Sequence, residues 1–525
     1  LASEGSPQSP VDHEDHQCGH QKRSELRKIR RHLMNTTAPM ANLNSSAAAP
    51  AATAPGAAVP AGLTRGVGVW AAAAVNVANM IGAGVFLKTR VMTCNVGSAK
   101  TVLVVWLAAG LLSLAGTFAY SEIGAMMPEA GGDYVYLRRA YGRLVGFLYG
   151  WMAFTVSRAG SQAALAVGLA IFLNVAMGGV VDRWHIEATP FGFHAQVGGL
   201  VLVALAAIWA VALINCASVA AGGRLALALT IAKVGLVLGV GFGAFGFAHG
   251  DWSHLAQTGL GGTCEGVAGS ARGGIAGFGA AMLGALWAYD GWQNVAPLAG
   301  EIRDPQRNLP RAFVGGTLAV AALYLFVNVA YFYALTPLAI ASVPTSSSVA
   351  TEVLQRFLGP IAVALMAAAL MVSSFGALHA SVLANSRIPF AMARDGLFFQ
   401  GLARLSPRSN VPVRAILAQA AWASVLAASG SYDALTDSVI FASWMFYGLT
   451  TASLFVFRKT MPDAVRPYRA FGYPVVPALF LLATAALLIN TFVAAPREAL
   501  LGVSILAAGL PFYWYWSRRS KPSAA

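Results

Sequence analysis

Apolar and polar positions divide this chain at about residue 62. Beyond that point, apolar runs of about 20 residues, each long enough to cross ~30 Å of hydrocarbon, alternate with short polar stretches as far as residue 517. Twelve such runs are predicted to be helices, near 66–88, 100–127, 144–177, 194–216, 223–248, 274–300, 311–336, 357–386, 412–430, 434–458, 473–494 and 499–517. The second, third and eighth have length to spare for tilting or for extending beyond the membrane. Residues 1–62 have a different texture. Leu1 to His32 is polar and ends in a basic cluster of Lys22, Arg23, Arg27, Lys28, Arg30 and Arg31, and Ala47 to Ala61 is rich in Ala and Pro. Neither part buries enough apolar surface to offset chain entropy, so 1–62 is expected to be a disordered tail. The chain starts with Leu1, and Met34 stands as an alternative start. Residues 63–519 then form one transmembrane domain and 520–525 a short second tail.

Two runs carry an interruption where a membrane helix should be most regular. The first holds Asn79-Met80-Ile81-Gly82-Ala83-Gly84-Val85-Phe86, and the sixth holds Trp287-Ala288-Tyr289-Asp290-Gly291-Trp292. Irregular backbone at membrane depth is tolerated only where protein buries it or where it lines a cavity. An unwound stretch there exposes backbone N–H groups, and the helix resuming at about Gly84 points its positive end at them. Such a place holds a carboxylate without a charged side chain. The alternative is that the glycines serve close helix packing. The first and sixth runs each open a block of five. Paired breaks at matching positions of two halves are the sequence mark of a transporter built on inverted repeats, with its site at the midplane.

Composition agrees with this reading and charge sharpens it. The 525 residues are 57% hydrophobic and 11% charged, with a mean hydropathy of +0.62. The net charge of +14 suggests nucleic acid until its distribution is followed. If the N-terminus is inside, the cytoplasmic segments hold nearly all the arginines, from Arg138, Arg139 and Arg143 to Arg518 and Arg519. The outer loops keep only Lys88, Arg90, Lys100, Arg183, Arg272, Arg356 and Arg497. The positive-inside rule then puts both termini in the cytoplasm, and the charge is topological rather than a nucleic-acid surface. There is no GxxxxGK loop, no metal-ligand spacing and no nucleophile–base constellation, so no enzyme, cofactor or metal is expected. Cys94 and Cys264 fall in outer loops and are expected to be free thiols, a bridge between them being the alternative. Gly131 to Gly142 reads as a short amphipathic helix on the cytoplasmic face, with aromatics and arginines suited to the interface.

Several motifs resemble the amino acid–polyamine–organocation superfamily, and within it the L-amino-acid transporter group. They are Ile81-Gly82-Ala83-Gly84-Val85-Phe86, Tyr120-Ser121-Glu122-Ile123-Gly124 leading into Pro128-Glu129-Ala130-Gly131-Gly132-Asp133-Tyr134, and the sixth-run break. The same break is followed by Glu301-Ile302-Arg303-Asp304-Pro305-Gln306-Arg307-Asn308-Leu309-Pro310-Arg311, and later come Arg466-Pro467-Tyr468-Arg469 and Gly472-Tyr473-Pro474. The resemblance covers about Gly66 to Ser517. It implies an all-α, LeuT-type five-plus-five fold with two extra C-terminal helices, broken first and sixth helices, and a multi-pass place in the cell membrane. The implied activity is secondary transport of amino acids by alternating access, as sodium-independent exchange or proton symport, with a sensor that binds without turnover as the alternative. Carried over, Gly82, Ala83 and Gly84 meet the substrate carboxylate, and Met80, Ile81 and Trp287 lie near its ammonium. Trp287 stands at the family's aromatic gate, with Ala288, Asp290 and Gly291 beside it. Ala83 stands where the family often has Ser. Human members pair with a heavy chain through an outer-loop cysteine; residues 178–193 hold none, so no such partner is expected.

Four ionisable residues sit well inside runs: Arg158, Lys233, Asp290 and His379. Such groups cost about 3 kcal/mol on insertion scales unless paired or hydrated. Arg158 matches a basic residue common in the group and is expected to be paired structurally. His379 is read either as a neutral imidazole bonded to a neighbour or as a pH-sensitive pocket wall. Asp290 either admits cationic as well as neutral amino acids, or carries a coupled proton, or caps the resuming half-helix. Lys233 lies ~15 Å into its helix. Sodium-independent members carry lysine at the matching position, so the resemblance implies that Lys233 replaces sodium, bound to the carbonyls of the first break and to Ser373 or Ser374. A lysine facing a water-filled crevice is the other reading.

Overall fold

The computed structural model describes residues 63–519 apart from 189–194, 260, 346, 430–431 and 495. The tail at 1–62 and residues 520–525 lie outside the described residues. Helix dominates. The first apolar run forms α1 (Val69–Met80) and α2 (Gly84–Val96), and α3 (Ala99–Met126) follows. Next come α4 (Asp133–Tyr141), α5 (Arg143–Met152), a π turn (Ala153–Ser157) and α6 (Arg158–Ala176). After α7 (Gly199–Ala217) and α8 (Val219–Phe247), the sixth run forms α9 (Gly274–Tyr289) and a 3-10 turn (Ala296–Glu301). Then come α10 (Pro305–Ala334), the short α11 (Pro337–Ala341), α12 (Val349–Leu358), α13 (Ile361–Asn385) and α14 (Arg387–Arg394). The chain closes with α15 (Val413–Ala428), α16 (Tyr432–Thr460), α17 (Val475–Ala494) and α18 (Pro496–Arg519). Among the described residues, nine helices are long and apolar enough to cross a membrane, α1 and α2 counting as one. The shorter α9 and α15 are apolar too.

Local chemistry sets several boundaries. Ser98 accepts from the Thr101 amide at 3.4 Å, Thr336 from Ala339 at 3.1 Å and Ser348 from Thr351 at 3.1 Å, each satisfying a donor that a helix start leaves open. Pro305 opens α10 at a position where a missing N–H costs nothing.

The helices share two sub-cores. Around the first, α10 packs along α3 and α1, and α9 lies against α2. The second is almost entirely alanine and aliphatic. Ala159, Ala163, Ala166 and Ala170 of α6 meet Ala204, Ile208 and Val211 of α7, Leu378 and Val382 of α13, and Ala420 and Ala423 of α15. Small side chains let these backbones approach, which is how helices associate where lipid removes the hydrophobic drive.

The structure corrects the sequence reading at five points. Residues 185–198 include a two-stranded antiparallel hairpin, β1 (His185–Ala188) with β2 (Ala195–Gly198), inside an otherwise helical chain. The first run continues to Val96 rather than 88, so Lys88, Arg90 and Cys94 lie in α2, not in a loop. Lys88 can sit there because its ammonium lies over the Trp287 ring at 4.7 Å, and Arg90 because it donates to the Glu265 carbonyl at 2.7 Å. The sixth run breaks after Tyr289, within the expected stretch, but resumes as a 3-10 turn rather than as an α-helix. The apolar face of helix α4 packs into the protein rather than against lipid: Tyr134, Val135, Tyr136 and Leu137 are buried. Gly132 makes that possible, since a Cβ there would stand 2.7 Å from the Pro297 nitrogen and its φ is +53°. Finally, Cys94 and Cys264 are not free thiols. The segment after α8 folds back over the end of α2, where the Cys264 amide bonds the Ala341 carbonyl at 3.1 Å, and the two Cα atoms stand 5.7 Å apart in a disulfide.

Two buried carboxylates tie the end of the molecule opposite that disulfide. Glu122, fully buried, accepts from Arg458 at 3.0 and 2.6 Å and from the Ala470 amide at 2.6 Å. Arg466 Nε stands 3.2 Å from Glu122, close enough for charge attraction but not aligned as a hydrogen bond. Glu301 and Arg387 form a two-pronged pair at 2.8 and 2.9 Å with both side chains out of solvent. Beside it, Val67 and the Glu301–Arg303 backbone exchange hydrogen bonds at 3.0 and 2.8 Å, joining the approach to α1 with the end of the sixth run.

Candidate functional site

The first break leaves donors open. Helix α1 ends at Met80, Ile81 is extended, and the Gly82 amide turns back to the Met80 carbonyl at 2.9 Å. Ala83 then caps α2, and Phe86 and Leu87 take its carbonyl at 3.1 and 3.2 Å. Among the described residues, the amides of Ala83, Gly84 and Val85 find no backbone acceptor. These are the unpaired N–H groups of a helix start, carrying the positive end of its dipole.

The second break lies directly against the first. Gly84 packs on the peptide of Ala288: a Cβ at 84 would stand 2.8 Å from the Ala288 Cβ and 3.2 Å from the Trp287 ring. Gly291 has φ +107°, and a Cβ there would stand 2.7 Å from the Asn79 carbonyl oxygen. Asp290 ends α9 with its amide on the Trp287 carbonyl at 3.2 Å. The Tyr324 hydroxyl of α10 lies 2.9 Å from the Met80 oxygen and 3.0 Å from the Ala288 oxygen, spanning both breaks. Asn294 adds a bond to Asn79 at 3.3 Å.

The carbonyls freed by the first break are largely occupied. Lys233 of α8, buried, donates to Ala78 at 2.9 Å and Ile81 at 2.8 Å. Ser373 of α13 donates to Ile81 at 3.2 Å and reaches Gly82 at 3.5 Å. With Tyr324 of α10, three helices therefore meet the broken segment through one ammonium and two hydroxyls. Ile81 accepts two hydrogen bonds, the full capacity of a carbonyl oxygen, while Met80 accepts from the Gly82 amide and shares the single Tyr324 hydrogen with Ala288.

Residues 67–514 match the family described as amino acid permease. The chain belongs to the amino acid permease family. Among curated proteins, this permease is 31% identical over 460 residues to the serine/threonine exchanger SteT of Bacillus subtilis (strain 168), covering 87% of this chain and 98% of that protein. It is 29% identical over 495 residues to large neutral amino acids transporter small subunit 2 of Homo sapiens, covering 94% and 88%. It is 28% identical over 459 residues to the human b(0,+)-type amino acid transporter 1, covering 86% and 88%.

Not every predicted site residue of the permease reaches the breaks. Met80, Ile81, Gly82, Ala83, Gly84, Trp287, Ala288, Asp290 and Gly291 come together, with Lys233 behind them. His379 does not. It is held between Asn215 of α7 at 3.0 Å and the Gly222 carbonyl of α8 at 2.9 Å, fully buried among helices. Asp290 is half-buried and accepts from the Tyr447 hydroxyl of α16 at 2.9 Å; Gln293 donates in turn to Tyr447. Arg158, which opens α6 just after the π turn, is 4% exposed and faces Tyr447, Tyr149, Asp290 and Asp133. Charge attraction reaches from the arginine to Asp290 of the second break and Asp133 of α4, without an ion pair to either among the described residues.

Sequence reasoning missed Tyr324, Tyr447 and Gln293. For Tyr324 a signal existed. Thr317, Tyr324, Asn328 and Tyr331 recur at helical spacing along α10 and are all buried. Thr317 meets Thr117 at 3.3 Å, and Asn328 accepts from Thr89 at 2.6 Å. A polar stripe inside an apolar helix marks its inward face.

Proposed function

We propose that this permease carries amino acids across the cell membrane by alternating access around the two breaks, as a sodium-independent exchanger. The observation that carries the reading is the row of open amides at Ala83, Gly84 and Val85, set against Ala288 and below the Trp287 ring. A substrate carboxylate satisfies those donors. Its ammonium goes to the Gly82 and Trp287 carbonyls, because Ile81 is already saturated and Met80 is engaged by the Gly82 amide and Tyr324. Trp287 closes over the substrate. Asp290, with one oxygen on Tyr447, lies where a cationic side chain would end, so neutral amino acids are the main cargo and cationic ones are admitted. Lys233 fills the place of a coupling cation. The relatives' names specify serine and threonine, or large neutral amino acids, which supports a neutral cargo.

The architecture that goes with this reading has twelve spans, two inverted blocks of five and two additional C-terminal helices, within a permease domain at 63–519. Both termini are cytoplasmic, a topology that the arginine distribution supports, and 1–62 and 520–525 are tails. One human relative is named a small subunit; the lack of cysteine at 178–193 supports function here without a disulfide-linked heavy chain. Reconstitution in liposomes with labelled amino acids tests the whole. Uptake is expected only into vesicles preloaded with amino acid, and equally in sodium or choline. Uptake into empty vesicles driven by a proton gradient would replace exchange with symport. Binding without any uptake would overturn transport.

A further inference from the structure

A groove of about 950 Å³ opens on the outer side of the helix bundle, between α1, α8 and α10. Its floor is recessed by Ala73, Ala74, Gly315, Gly316 and Ala319, and Trp70, 75% exposed, stands at its rim. Its walls are aliphatic for most of their length. The exceptions are Thr230, Tyr468 and one end, where α10 presents Gln306, Arg307 and Arg311. Four residues apart, the two arginines lie on one face of the helix. Both are exposed, and no side-chain partner is found for either among the described residues. Of the two acidic residues nearest in sequence, Glu301 is taken by Arg387 and Asp304 is exposed ahead of the helix. From Arg307 to Leu323, the far lining residue, α10 rises ~24 Å, about the depth of one leaflet with its headgroups.

We propose that this groove is the binding site of an anionic phospholipid. The acyl chains lie along Val69, Ala73, Val77, Leu227 and Val234, and the phosphate is held by Arg307 and Arg311. The chemistry argues for this occupant over others. An apolar channel of leaflet depth takes hydrocarbon. Two unpaired guanidiniums at the headgroup level supply paired donors that match phosphate oxygens, and a basic pocket between helices at the arginine-rich side of a membrane protein faces the anionic leaflet. A neutral lipid would leave both charges without a partner. The occupant would brace the first half of the broken span, which forms one wall, against α8 and α10. It lies outside the transport site and concerns none of its residues.

Native mass spectrometry of the full-length detergent-solubilised chain, titrated with phosphatidylglycerol or phosphatidylcholine, tests the proposal without measuring transport. Its failure is therefore separable from failure of the transport reading. Phosphatidylglycerol is expected to bind about tenfold more tightly than phosphatidylcholine, the size of one lost charge-assisted contact. The double variant Arg307→Gln/Arg311→Gln should bind the two lipids equally. Gly315→Leu fills the groove: its Cβ meets nothing within 4 Å, so the backbone tolerates it, and retention of both lipids should fall. Thermal melting of each variant confirms that it is folded. Equal binding of both lipids by the wild type, a preference that survives the double variant, or unchanged retention in Gly315→Leu would each overturn the proposal. Displacement of phosphatidylglycerol by millimolar inorganic phosphate alone would also overturn it, since the acyl chains would then contribute nothing.

Discussion

An ammonium buried at membrane depth is stable only while its acceptors stay in place, and Lys233 has two, the carbonyls of Ala78 and Ile81. Each charge-assisted bond contributes about 1.5–3 kcal/mol. Without the ammonium, the first break keeps Ser373 and Tyr324 but loses the tie to α8. Lys233→Met, which retains length and removes charge, should therefore reduce uptake about tenfold or more at normal surface expression; wild-type uptake by the methionine variant would refute the coupling role. Glu301 and Arg387 pose the opposite case, a fully buried pair remote from the open amides. Glu301→Gln alone should destabilise the solubilised protein by about 3–5 kcal/mol, because Arg387 is left buried without its carboxylate. The double variant Glu301→Leu/Arg387→Met should recover most of that loss in a melting experiment. If both variants melt alike, the pair is not what holds the 3-10 turn to α14.

Helix against helix, the breaks matter because they touch. Gly291→Ala forces a methyl to within 2.7 Å of the Asn79 oxygen at a backbone angle that alanine avoids. Transport should fall by at least about tenfold, while Gly168→Ala on α6, whose Cβ meets nothing within 4 Å, should transport as wild type. Radiolabelled uptake by the two variants side by side distinguishes contact from loss of flexibility alone. That both segments break was legible in the sequence, since Gly82, Gly84 and Gly291 interrupt apolar runs and apolarity is a local property. That Gly84 lies on Ala288 was not, because a contact across two hundred residues leaves no mark on either run. The same limit explains α4. Tyr134 and Tyr136 suit an interface as well as a core, and only the close approach at Gly132 sends them inward. His379 meets the same limit: an imidazole in a span signals a polar partner, and of its two readings the structure bears out the one bonded to neighbours, here Asn215 and Gly222.

At the scale of the whole molecule, the two ends are fastened by different chemistry. The arginine-rich end uses buried ion pairs at Glu122 and Glu301. The other uses Cys94–Cys264, a bond that persists in oxidising surroundings, which accords with the proposal that this end faces the exterior. Cysteines far apart in sequence carry no distance information, which is why their pairing was open until the fold was known. The disulfide also changes what kind of object the polypeptide is. Residues 94–264 form a closed covalent ring with two tails, and β1 and β2 lie within the ring. A protease site inserted after Gly179, once cut, should open the ring without parting it: one band on a denaturing gel without reductant, two with it. Two bands without reductant would show that the ring is not closed. Once nicked, the chain would be two polypeptides held by a single bond, an artificial heterodimer whose halves can be separated and rejoined by redox potential alone.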